Sequence, residues 1–168
     1  MANDHVIRAV GLDGRARAVA AETTGAVEEL RRLHDSSPEV TAAVGRLATG
    51  ALLLASSLEK TTAREPLLTV EVDGGGPVGR LVATASPAGW VRAMAVNPLA
   101  TADRRDDGRL DVSSVVGVDG QLTVTRDPGI GEPYRGVVEL VSGELAKDFA
   151  YYLSESEQSP AAVVLLSL

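Results

Sequence analysis

This sequence predicts an α+β domain of mostly antiparallel sheets, packed with two early helices and one late helix. The period of the apolar pattern carries much of that reading, because it changes at Pro66. Before it, Val40, Val44, Leu47, Ala51, Leu54 and Leu58 recur at helical spacing; after it, Leu68, Val70 and Val72 alternate with Thr69 and Glu71. The alternating runs that follow are joined by short turns, which force neighbouring strands to run antiparallel.

Residues 5–10 read as a strand, Gly11-Leu12-Asp13-Gly14 as a turn rich in residues that tolerate positive φ, and 15–20 as the returning arm of a hairpin. Thr23 or Thr24 is placed to cap a helix reaching His34. Its acids Glu28 and Glu29 come early and its bases Arg31, Arg32 and His34 come last, as the macrodipole favours. Ser37 caps a second helix, with Pro38 at its first position and an end near Lys60. Leu52 and Leu53 widen its apolar stripe, so it should be buried on more than one side.

Strands are expected at 68–72, 78–85 and 90–96, divided by Asp73-Gly74-Gly75-Gly76-Pro77 and Ser86-Pro87-Ala88-Gly89. Residues 97–109 form a polar loop, the best candidate for mobility, and further strands are expected at 111–116, 121–126 and 134–141. Ser142 is the expected cap of a last helix reaching Ser156. In it Leu145, Phe149, Tyr152 and Leu153 should bury one face, with Tyr151 at the margin. Residues 161–168 read as a closing strand that needs a neighbour, supplied by a further segment or by a second copy.

With 168 residues and 45% apolar content the chain is long enough for one domain with a real core. The net charge of −7 argues against nucleic acid and anionic membranes as partners, since both reward basic surfaces. No apolar run approaches the roughly 20 residues of a membrane helix, and the N-terminus lacks the flanks of a signal peptide, so the cytoplasm is expected. The absence of cysteine rules out a disulfide, a thiolate metal site or a cysteine nucleophile within this chain.

Gly74-Gly75-Gly76-Pro77-Val78-Gly79 matches the spacing of a dinucleotide loop, but β-branched residues follow where a helix must open, so a hairpin turn is expected. Asp103, Asp107 and Gly108 suit a calcium loop, but Arg105 and Ser114 stand where ligands are needed, which leaves a solvated loop. His34 is read as a partner of terminal carbonyls, and Glu155 with Glu157 as a solubilising stop. No catalytic residue is expected. In a strand at 90–96, Trp90, Arg92 and Met94 share one face. Either a helix covers that face while Arg92 snorkels out, or Trp90 and Met94 form a soft apolar patch suited to varied partners.

The densest signature is Phe149-Ala150-Tyr151-Tyr152, then Ser154-Glu155-Ser156-Glu157-Gln158-Ser159-Pro160. It follows Ser37-Pro38, Gly45-Arg46-Leu47, Gly76-Pro77-Val78-Gly79, Gly89-Trp90-Val91-Arg92, the run from Val116 to Val124, Tyr134-Arg135-Gly136 and Ser142-Gly143-Glu144. In order and spacing this set resembles the N-terminal region of the redox-regulated 33-kDa chaperonin family, heat-shock holdases that bind unfolding proteins without ATP. Ala93 departs from the family's usual glycine.

The resemblance implies one client-binding core domain over residues 1–168, cut short of the family's C-terminal linker and cysteine-held zinc domain. It implies unfolded or partly folded proteins as partners and no cofactor in this chain, zinc belonging to the missing domain; the homodimer is the assembly that the unpaired apolar run at 161–168 suggests. Trp90 and Met94 are the candidate client-binding residues. The rival reading is a small ligand-binding or enzymatic domain, marked by a polar pocket with a perturbed ionisable group.

Overall fold

The computed structural model describes residues 3–59 and 63–166. Its first elements are β1 (His5–Gly11), a short 3-10 turn at Leu12–Gly14, and β2 (Ala16–Glu22). Two helices follow, α1 (Thr24–His34) and α2 (Pro38–Ala55), then strands β3 (Leu67–Asp73), β4 (Leu81–Ala85) and β5 (Val91–Ala95). The chain goes on through α3 (Val112–Val116), β6 (Gln121–Asp127), β7 (Tyr134–Glu139) and α4 (Ala146–Glu155). β1 and β2 make a separate two-stranded ribbon, and the other strands form an antiparallel sheet in the order β5-β4-β3-β6-β7.

The period of two decides which face of that sheet is buried. Leu68, Val70 and Val72 pair across to Ala85, Ala83 and Leu81 and carry the core face outward to Ala93 and Ala95. α2 lies on this face and buries Val40, Val44, Leu47 and Ala51 completely or nearly so. The Ser37 hydroxyl accepts the Val40 N–H, and Pro38 occupies the first helical position, as expected. α2 ends at Ala55, short of its expected end near Lys60, which itself lies outside the described residues. Ser56 and Ser57 return their hydroxyls to the carbonyls of Leu53 and Leu54, a local bonding that competes with a further turn.

Two expected strands are corrected. Residues 111–116 turn as α3, because Asp111 accepts the N–H and hydroxyl of Ser114 and the hydroxyl of Ser113. Val112, Val115 and Val116 then share one buried helical face, so a strong cap and helical spacing override valine's preference for strands. Residues 161–166 form no strand; Leu165 is buried and Val163 is partly buried while Val164 and Leu166 face out. Their side chains dock on the core without a ladder partner, and Ser167 and Leu168 lie outside the described residues.

Capping also departs from expectation. The first amides of α1 are taken by Asp4, whose two carboxylate oxygens accept from Gly25 at 2.9 Å and Ala26 at 2.6 Å, while the Thr23 hydroxyl bonds Thr49. Ser142 does not cap α4. Instead the fully buried Asp148 of the first turn accepts from the backbone N–H of Val141, Ser142 and Leu145 and from the Ser142 hydroxyl. One carboxylate thus fastens the incoming chain to the helix. The start of the 97–109 loop is tied to the head of α2, since Ser37 donates its N–H to the Pro98 carbonyl and its hydroxyl to that of Ala100.

Candidate functional site

β5 is an edge strand, and α1 and α2 pack on the side that carries Ala93 and Ala95. Arg92 and Met94 therefore point to the opposite side, which corrects the alternative of a helix-covered face. Trp90 is 36% exposed and Met94 45%. The indole is held in place: its Nε1 donates to Glu65 at 2.9 Å, Ser86 donates to the same oxygen at 2.5 Å, and the Arg92 guanidinium stands 5.6 Å above the ring. The Ser86 hydroxyl and the Trp90 indole together hold the Glu65 carboxyl below its ordinary range. Trp90 is thus a positioned aromatic, and Met94 is the softer element of the pair.

Register extends this face across the whole sheet. Met94, Val82, Glu71, Thr123 and Val137 stand in one row, and Arg92, Thr84, Thr69, Thr125 and Arg135 in the next. No described helix packs on this side. A second exposed apolar group lies on the ribbon, where Ile7, Val10 and Leu12 are all more than half exposed. Sequence patterning placed the ribbon but not its exposure, because alternation in a two-stranded arm looks the same whether or not a third layer covers it.

The signature motif builds the frame behind these surfaces. Phe149 and Tyr152 are fully buried, Leu145 beside them, and Tyr151 sits at the margin. A Cβ at Gly50 would collide with the Phe149 ring, and one at Gly136 with Tyr152 and Ser156, so both glycines exist to admit α4. Glu157 is not a solubilising stop: it accepts from Arg126 at 3.0 Å and from the Tyr152 hydroxyl. Burial, reinforced by that carboxylate, pushes the Tyr152 hydroxyl up to about 12.

The remaining motifs are structural. The Gly74–Gly79 turn joins two antiparallel strands and interlocks with the next turn, Gly76 donating to the Val116 carbonyl and Asp119 to that of Gly74. Added Cβ atoms at Gly76 or Gly117 would strike backbone, so these glycines serve close approach rather than phosphate. In the 103–108 loop, Asp107 accepts the amide of Arg109 and Arg105 reaches Glu144, Asp111 and Ser113. His34 bonds the Ala93 carbonyl of β5 at 3.0 Å, not its own last turn. Serine hydroxyls, Ser114 first and then Ser113, hold Asp111 down at about 2, which marks a helix cap. A zinc thiolate site does not fit this chain, which has no cysteine, and among the described residues no three His, Asp or Glu converge.

The Hsp33 protein family profile matches residues 4–168. The 33 kDa chaperonin of Bacillus velezensis is 46% identical over 160 residues, which is 95% of this chain and 54% of that protein. Its counterpart from Thermus thermophilus is 49% identical over 95% of this chain and 46% of its own length. The chain therefore spans about half the length of the curated relatives it matches. The crystal structure of the 33 kDa chaperonin from Thermotoga maritima superposes with a TM-score of 0.86 at 34% identity, covering 96% of this chain and 55% of that one.

Proposed function

We propose that this chain, which belongs to the Hsp33 family, is the client-binding core of an ATP-independent holdase that keeps unfolding proteins from aggregating. The match over residues 4–168 carries the reading, since it takes in every element described above. Capture needs exposed surface rather than a reacting group. The helix-free sheet face supplies part of it, and Trp90 and Met94 are the proposed contacts, an anchored aromatic at the head of β5 and an adaptable thioether along it. The shifted carboxyls and hydroxyl act as caps and tethers, so no bond chemistry is assigned to them.

The reading carries a cytoplasmic setting and, by analogy with the family, a longer native chain with a separate zinc domain. It also includes a homodimer, for Val164 and Leu166 are 74% and 82% exposed and a second copy would bury them. Light scattering of a chemically denatured protein on dilution tests the central point. Scattering should fall at near-stoichiometric chaperone without nucleotide; scattering unchanged at several-fold molar excess would overturn the assignment.

A further inference from the structure

The ribbon of β1 and β2 is an arm with unprotected edges. Seven residues of β1 pair in unbroken register with seven of β2, from His5↔Glu22 to Gly11↔Ala16, with no proline, bulge or third strand. Sheet proteins ordinarily blunt such edges, and an isolated two-stranded ribbon is marginally stable in water. Beside β1 opens a cleft of about 560 Å³, to which β1 contributes His5, Val6 and Arg8, the end of α2 Leu52 and its cap residue Ser56, and the β4–β5 connection Pro87 and Trp90. β2 reaches it only through Glu22, so the cleft opens on the β1 side.

Charge selects the occupant. The chain is −7 overall, yet the arm carries Arg8, Arg15 and Arg17 against Asp13 and Glu22. Among the described residues Arg15 and Arg17 enter no ion pair, while Glu22 is engaged by Thr24 and the Asp4 carboxylate by the α1 amides. Arg8 and Arg17 share one face, because Arg8 pairs with Val19 and Val10 with Arg17. The other face presents Ile7, Ala9, Ala18 and Ala20 along its outer part, with His5 opposite Glu22 at its inner end.

We infer that the outer edge of β1 takes an extended polypeptide segment as an added strand, with carboxylates alternating with apolar side chains. Its acids lie along the Arg8–Arg17 face and its apolar residues along the Ile7–Ala9 face, and one side chain enters the cleft by Trp90. Backbone pairing supplies sequence-tolerant affinity and the alternation supplies selectivity, a mode suited to varied unfolded clients. The inference rests on the holdase reading and names a class of client segment for it.

Trp90 is the only tryptophan and lines the cleft, so its emission reports occupancy. The probes are roughly twelve-residue peptides of alternating Val and Glu, alternating Val and Lys, and a fully N-methylated Val-Glu peptide that has no backbone donors. The Val-Glu peptide should give a saturable change. The Val-Lys peptide should bind on the order of tenfold more weakly, and the N-methylated peptide not at all. Arg17→Glu touches an exposed, unpaired side chain, so the fold persists, checked by circular dichroism. It should weaken Val-Glu binding and strengthen Val-Lys binding by on the order of tenfold each.

Equal affinity for the N-methylated peptide, or indifference to Arg17→Glu, would overturn the inference. So would concentration-dependent doubling of mass without peptide binding, which would give the edge to a second copy. Suppressed aggregation with no peptide binding sinks this inference alone; peptide binding without suppression sinks the holdase reading alone.

Discussion

Phe149 and Gly50 show how one contact ties the signature to the core. The ring is 1% exposed and lies where a Cβ on Gly50 would be, so helix α2 gives up a methyl group to seat it. Phe149→Ala should cost about 3–5 kcal/mol by the transfer and cavity terms for a buried aromatic. Gly50→Ala gains up to about 1 kcal/mol of helix propensity but overpacks the ring, at a cost of about 1–3 kcal/mol, and should destabilise. In the double variant the new methyl enters the space the ring leaves, so the loss should be smaller than the sum. Denaturant melts of all three variants check this; strict additivity would mean the two residues do not touch. The aromatic half of this contact was legible in the sequence from helical spacing. The glycine half was not, because a glycine inside a helix reads only as a propensity cost until its neighbour is known.

At the scale of elements, what periodicity and caps can express was readable, and what depends on distant partners was not. Strand alternation correctly placed β3 to β7 and the buried stripe of α2. It failed at α3, where three valines hid a helix that Asp111 caps, and at 161–166, where apolar residues dock without a ladder. Arg92 and Met94 could be put on one face by counting, but whether a helix covered that face was a tertiary question.

The end of α4 carries a pH prediction. The Tyr152 hydroxyl, ordinarily near 10.0, is raised to about 12, so the folded state holds the proton that the unfolded chain releases. The stabilisation is therefore complete below pH ~10 and is lost as pH rises toward ~12, by about 2–3 kcal/mol. Tyr152→Phe should flatten that segment of the stability curve relative to the parent protein. Parallel curves for the two would show that Tyr152 is not the group responsible.

For the whole molecule, the described helices pack on one side of the five-stranded sheet and none on the other, and the ribbon forms its own sheet that leans on α2 through Val6 and Ala21. On the holdase reading, that asymmetry offers a sheet face for capture beside the cleft that Trp90 lines. On the proposed reading capture needs no redox step: with no thiol in the chain, peroxide has no disulfide to form. The most direct measurement is the amount of denatured client that co-elutes with this chain in gel filtration, with and without peroxide, each with and without a zinc chelator. The account predicts equal capture under all four conditions. Capture that appears only after oxidation, or vanishes with the chelator, would contradict it.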